Sequence, residues 1–257
     1  MLTLVVCLVA FAASTLTFFS GFGLGTLLLP AFALFYPIEL AVASTAVVHF
    51  LNGLFKLGLV GRYAHRRTVL LFGLPAIAAA LLGAWVLLQL TNVAPIASYR
   101  VLGREAVVLP AKLVIGILLL LVTIVEMAPR FESVAFPPKY LPVGGFLSGF
   151  FGGLSGMQGA LRSAFLIRVG LSKEAFIGTG VVVATLIDLS RLGVYSRTLL
   201  AQHRQLNYPV LAAAVVAAFL GAVLGSRLLS KLTMRALQRV VGSMLAVVAL
   251  GLVAGLL

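Results

Sequence analysis

Acidic residues are scarce in this chain: six Asp and Glu among 257 residues, against 19 Lys and Arg. All charged residues together make up 10%, where an ordinary soluble domain carries about 25%. That leaves too little polar surface to coat a globular fold of this size, which excludes a soluble enzyme. There is one cysteine, Cys7, so no internal disulfide or thiol pair can form. No His/Cys/Asp/Glu cluster has metal-ligand spacing, no Walker motif is present, and no GxGxxG follows a strand. No metal and no cofactor is therefore expected. No basic stretch precedes the first apolar run, so Met1–Ser20 reads as a retained span rather than a cleaved leader.

What is abundant is apolar sequence. Hydrophobic residues make up 62%, and the mean hydropathy is +1.18. Apolar runs cover 2–20, 21–35, 41–60, 69–90, 107–127, 141–157, 158–168, 174–195, 207–229 and 237–257. A helix needs about 20 apolar residues to cross a bilayer, and runs of that length exclude a β-barrel, whose strands alternate over about 10. The pairs 2–20 with 21–35 and 141–157 with 158–168 are too long for one span and too rich in glycine for two. Each reads as a span that breaks at its glycines and continues as a half-helix or re-entrant segment. The fold class expected is an all-α polytopic membrane protein of about eight transmembrane helices, with ten crossings as the upper bound.

The net charge of +13 would suggest nucleic acid in a soluble protein, but most of the cations lie in loops, and no nucleic-acid partner is expected. For eight spans, loops 61–68, 128–140 and 196–206 hold seven cations. Loops 91–106, 166–174 and 229–237 hold six, or eight with Arg227 and Arg239. The positive-inside rule needs an asymmetry, and this count has none.

The two halves resemble each other. Ser20, Gly21, Phe22 and Gly25 recur as Ser148, Gly149, Phe150 and Gly153, an offset of 128. Leu54, Lys56, Leu57 and Gly58 match Leu189, Arg191, Leu192 and Gly193, an offset of 135, and Ser44 aligns with Thr179. This predicts a duplication with units 1–128 and 129–257, two homologous four-helix halves with glycine-broken first helices. Transporters built this way place their site between the halves.

The candidate residues lie in and around these repeats. Gly21, Gly23 and Gly25, and Gly149, Gly152, Gly153, Gly156 and Gly159, either pack helices closely or break them. A broken helix exposes N–H donors that favour an anion, and Pro30 fits such a break. Lys56 and Arg191 fall late in apolar runs, where a cation is snorkelled, paired or functional. Asp188 lies three residues before Arg191, as an ion pair or as part of a proton relay. Arg162, beside Ser155, Gln158 and Ser163, is a membrane-edge arginine or a fork of donors for an oxyanion. Thr45, His49, Asn52 and Lys56 share one helical stripe, suited to interhelical hydrogen bonds or to lining a pathway. His65 and His203 read as loop residues. The string GLSG at 153–156, with His203 downstream, resembles an intramembrane serine protease, but a serine nucleophile needs a base within reach and His203 lies in a polar loop.

SGFGLGTLLLP with AVASTAVVHFLNGLFKLG, and SGFFGGLSGMQGA with GTGVVVATLIDLSRLG, resemble the TauE/SafE family of sulfite and organosulfonate exporters. The resemblance spans essentially the whole chain. It implies a multi-pass transporter of a small sulfur-containing anion in the cytoplasmic membrane of a bacterium, working by alternating access, with lipid and the anion as partners and room for a homodimer. The expected substrate site is Lys56, Arg191, Gly25, Gly153, Ser155, Thr45, Asn52 and Arg162, with Asp188 and His49 in coupling. A carboxylate transporter of the same fold is the alternative.

Overall fold

The computed structural model describes residues 2–16, 24–101, 103–127, 134–228 and 234–256. Ten helices and one hairpin follow in order: α1 (Leu2–Leu16), α2 (Leu24–Ala33), α3 (Ile38–Val60), α4 (Arg66–Thr91), β1 (Ala97–Val101), β2 (Arg104–Val108), α5 (Pro110–Met127), α6 (Leu141–Ser155), α7 (Gly159–Leu166), α8 (Lys173–Ala201), α9 (Tyr208–Leu228) and α10 (Met234–Val253). Among the described residues, Ile38–Tyr63, Arg66–Thr91, Lys173–Ala201 and Tyr208–Ser226 are each long and apolar enough to cross a membrane. Leu2–Thr15, Leu24–Ala33 and Pro110–Val125 are apolar and shorter. Leu70, Leu74, Trp85, Leu121 and Leu220 are exposed, which suits an outer surface bathed in lipid.

The break expected in the first glycine-rich stretch, at Gly21 and Gly23, lies outside the described residues, between the end of α1 and the start of α2. Pro30 does not mark it: α2 continues through Pro30 to Ala33. The second break is at Gly156, whose φ of 84° ends α6 in the left-handed region that glycine tolerates best. The chain then doubles back. Phe165 lies over Gly144, Gln158 lies against Gly152, and Ser148 Oγ donates to the Gln158 carbonyl at 2.9 Å. α6 and α7 therefore form an antiparallel hairpin, the re-entrant form of the break. At 15 residues, α6 is about 22 Å long, short of the roughly 30 Å hydrocarbon core.

The hydrophobic runs did not reveal the strand hairpin. β1 and β2 pair antiparallel from Ala97↔Val108 to Val101↔Arg104 in a segment read as a loop running into a span. The hairpin caps the end of α10: Tyr99 Oη donates to the Ala254 carbonyl at 2.6 Å, and Val107 N–H to the Gly255 carbonyl at 3.0 Å.

The helices pack α1 on α9, α4 on α6, α3 on α8 and α5 on α10, with α4 also on α8 and α3 on α9. The α4–α6 contact is set by glycine. Gly145, Gly149 and Gly153, four residues apart, lie against the backbone of Phe72, Ala76 and Ala80. The constant spacing makes these helices parallel. A Cβ on Gly149 would come within 2.6 Å of the Ala76 Cα, so Gly149→Ala should destabilise the protein by about 1–3 kcal/mol. Nothing lies within 4 Å of a Cβ on Gly58, and Gly58→Ala should be neutral or gain up to about 1 kcal/mol. Thermal unfolding in detergent checks this, and equal melting temperatures for the two variants would contradict the packing.

Candidate functional site

α3 and α8 form the centre of the molecule. Gly178 of α8 faces Val60 and Ala64, Thr185 faces Gly53, and Asp188 faces His49, so the two helices run antiparallel. Gly53 permits the approach, since a Cβ there would meet Thr185 Oγ1 at 2.8 Å. The N-terminus of α8 is capped by Ser172, whose Oγ accepts from Ala175 N–H at 3.2 Å.

Near the midpoints of both helices is a buried charge cluster. Asp188 and Arg191 are fully buried. Asp188 Oδ1 accepts from Arg191 Nε at 3.0 Å and lies 2.8 Å from Arg191 Nη2. The same oxygen accepts from Gln158 Nε2 at 3.3 Å, while Oδ2 pairs with His49 Nδ1. Gln158 in turn accepts from Arg162 Nη1 at 3.2 Å. One carboxylate thus ties together α3, α8 and the turn between α6 and α7. Charges this deep persist only when paired and hydrogen-bonded.

The polar stripe on α3 faces the protein. Thr45, Asn52 and Lys56 are buried, and Ser14 of α1 donates to Asn52 Oδ1 at 3.4 Å. Lys56 does not snorkel to a lipid face. It lies near enough to Arg162 for the two charges to act on each other. Arg162, buried in α7, is not at the membrane edge. The hydroxyls of Ser44 and Thr45 are buried with no hydrogen-bond partner among the described residues, and so is Arg191 Nη1.

Because α3 and α8 are antiparallel, Lys56 and Arg191 extend to opposite sides of the His49–Asp188 pair. Lys56 is seven residues past His49, about 10 Å along the axis. The structure therefore brings Lys56 together with Arg162, and Arg191 with Asp188 and the α6–α7 turn. At that turn the start of α2 meets the break between α6 and α7. A Cβ on Gly25, at the start of α2, would come 2.7 Å from the Gly156 carbonyl oxygen and 3.7 Å from the His49 ring, and Arg191 Nη1 abuts Gly156 on the other side.

Two expected site residues stand apart from this centre. Gly153 packs on α4, and its carbonyl accepts from the Tyr195 hydroxyl. Ser155 is buried with its hydroxyl donated back to the Phe151 carbonyl at 2.9 Å. His203 is exposed and pairs with the Leu200 carbonyl, so neither side chain is arranged as a nucleophile and its base. His65 caps α4 through Thr68, and its N–H donates to Thr179 Oγ1 at 2.9 Å. No group of three or more His, Cys, Asp or Glu able to hold a metal occurs among the described residues.

One position at this centre, Tyr195, escaped the sequence reading, while Gln158 stood out only as a neighbour of Arg162 and Gly156 only as one of several glycines. Gln158 bridges Asp188 and Arg162, and its signal was an amide inside a glycine-rich break. Gly156 makes the turn. Tyr195 lies one turn beyond Arg191 on the same buried face and locks α8 to α6.

The described buried residues hold three cations that are always or usually charged, Lys56, Arg162 and Arg191, and one carboxylate, Asp188. A site with that excess suits an anion. The family profile described as Sulfite exporter TauE/SafE matches residues 6–252. No curated protein and no solved structure matches the chain.

Proposed function

The chain belongs to the Sulfite exporter TauE/SafE family and is a multi-pass membrane transporter, and from that premise we propose that it carries sulfite or an organosulfonate through the centre of the α3–α8 crossing. The observation that carries this reading is the buried excess of cations around Asp188, with the unpartnered Arg191 Nη1 and Thr45 hydroxyl beside it. Lys56 with Arg162 receives the anion from one side and Arg191 from the other. Asn52, Thr45 and the backbone at Gly25 complete the path.

The transporter is built from two inverted units, α1–α5 and α6–α10. Several features support this. α2 and α7 begin at Leu24 and Gly159, and α3 and α8 at Ile38 and Lys173, both 135 residues apart. Lys56 and Arg191 share that offset. The partner of Ser20-Gly21 is then Ser155-Gly156 at the turn, whereas Ser148–Gly153 lies inside α6. α1 packs on α9 as α6 packs on α4. The equivalent helices α3 and α8 run antiparallel, which is the mark of inversion. α1 packs along α2, and Ser14 reaches Asn52 near the middle of α3, so the first pair also enters and returns. This gives six crossing helices, α3–α5 and α8–α10, and two re-entrant pairs, which meet where Gly25 at the start of α2 lies against Gly156. Such pairs meeting at midplane, alternately exposed, are how inverted-repeat carriers work.

That topology changes the charge count. Segments 61–67, 128–140, 167–173 and 227–239 share one side and hold eleven Lys and Arg, while 91–112 and 197–208 share the other and hold five. By the positive-inside rule the first side is cytoplasmic. An anion released outward from an inside-negative cell moves down the electrical gradient, about 2.3 kcal/mol per charge per 100 mV, which favours export across the cytoplasmic membrane of a bacterium. In a Cys7→Ser background, His203→Cys should react with an impermeant maleimide on spheroplasts, and Arg168→Cys only after permeabilisation. The reverse pattern would overturn the orientation.

A thermal-shift screen of the purified protein against sulfite, sulfate, thiosulfate, alkanesulfonates and carboxylates tests the substrate class. Sulfite or a sulfonate at about 100 times its Kd should stabilise the fold by about 2.7 kcal/mol. A shift with carboxylates alone would favour a carboxylate carrier of the same fold, and no shift with any anion would contradict the proposal.

A further inference from the structure

A neutral histidine adds nothing to the charge of an anion site, yet His49 stands at the midpoint of α3 against the one buried carboxylate among the described residues. Its Nδ1 faces Asp188 Oδ2, while Oδ1 is occupied by Arg191 and Gln158. An ionised carboxylate only accepts, so Nδ1 carries the hydrogen and Nε2 is left to take or release a proton. The Cδ2 edge of the ring, next to Nε2, lies 3.7 Å from where a Cβ on Gly25 would be, so a proton gained there lands beside the start of α2. Within the pair, the His49 side chain is 14% exposed and Asp188 0%. Histidine is therefore the member of the pair that a proton can reach. Histidine is also the side chain whose charge ordinarily changes between about pH 5 and 8.

The charged groups around it are few. α8 contributes Asp188 and Arg191. α7 contributes Arg162, whose charge and that of Asp188 act on each other. α3 itself contributes Lys56. α2 brings no titratable side chain, α1 only Cys7, and α9 only its terminal Tyr208 and Arg227. Lys56, Arg162, Arg191 and Asp188 sum to +2 with the imidazole neutral and to +3 with it protonated.

We propose that His49 is a proton-binding site linked to the anion site, so that one proton is taken up with each anion bound. This rests on the anion reading above and adds the coupling ion to it. The extra positive charge strengthens anion binding, and by reciprocity the anion raises the affinity of His49 for its proton by the same factor. The Asp188 contact holds the ring in place in both charge states, so the change is one of charge rather than of position. The sign of this linkage makes proton and anion co-ligands that travel together rather than exchange, and the sulfite dianion with its proton still carries one net negative charge, so its outward movement follows an inside-negative potential.

The experiment uses the full chain in detergent and ethanesulfonate as probe, because that anion does not titrate in the range and every proton taken up belongs to the protein. In weak buffer with a pH indicator, binding should take up protons, approaching one per anion. The affinity should fall between about 5- and 150-fold from pH 5 to pH 8. His49→Gln and His49→Asn should show no uptake and a pH-independent affinity near the wild-type value at high pH. Wild-type binding without proton uptake, or uptake that persists in both variants, would overturn the linkage and leave the anion site standing. Failure of the wild type to bind ethanesulfonate, sulfite or thiosulfate at any pH would overturn both.

Discussion

In proteoliposomes, Lys56→Gln lowers the rate of sulfite transport at subsaturating substrate by at least about 30-fold. Lys56 is buried on the protein-facing stripe of α3, within electrostatic reach of Arg162. An anion arriving there leaves water and meets a charge in a medium where such contacts are strong. Losing one charged partner in a desolvated site costs about 2 kcal/mol or more, and each 1.4 kcal/mol is tenfold. Glutamine is one atom shorter but keeps a polar end and removes a buried charge, so the folded protein survives, which an unchanged elution volume and melting temperature would verify. Lys56→Arg retains the charge and should recover much of the rate. A Lys56→Gln protein that transports at the wild-type rate would remove Lys56 from the path.

The second large effect concerns stability. Asp188→Ala leaves the Arg191 guanidinium fully buried with its counter-charge gone and His49 without its partner. Breaking a buried pair by removing one member costs about 3–5 kcal/mol. The double variant Asp188→Ala with Arg191→Met removes the stranded charge as well and should regain most of the loss. Unfolding in detergent measures all three proteins. A double variant as unstable as the single one would show that the loss has another origin than the uncompensated charge. The same comparison explains why Arg191 is a poor first target for transport assays: its removal strands Asp188 and mixes folding with function.

Much of this centre was legible in the sequence because charge inside an apolar run is rare. Lys56, Arg162, Asp188 and Arg191 stood out on that ground alone, and the 3.6-residue period placed Thr45, His49, Asn52 and Lys56 on one face. The long runs matched α3, α4, α8 and α9 within a few residues at most boundaries. What the sequence could not distinguish was direction. A glycine-rich break looks the same whether the chain continues or doubles back, and the left-handed turn at Gly156 decides it. In the topology proposed above, that one turn lowers the number of crossings and changes which loops share a side. With Lys112 added to the loop cations, seven against eight becomes eleven against five. The glycine block had a related ambiguity. Gly149 and Gly153 resemble the glycines of a break, but their four-residue spacing serves close packing on α4. The strand hairpin was missed for a different reason: Ala97–Val108 sits between strongly apolar runs, and its short alternation is a weak signal beside them.

The central claim is that this chain moves a small sulfur-containing anion through a buried cationic site, and flux tests it most directly. Proteoliposomes loaded with radiolabelled sulfite and clamped inside-negative by a potassium gradient with valinomycin should release it faster than protein-free vesicles. The release should saturate with internal sulfite and slow when the potential is set to zero. Release no faster than from protein-free vesicles, at any potential, would contradict it.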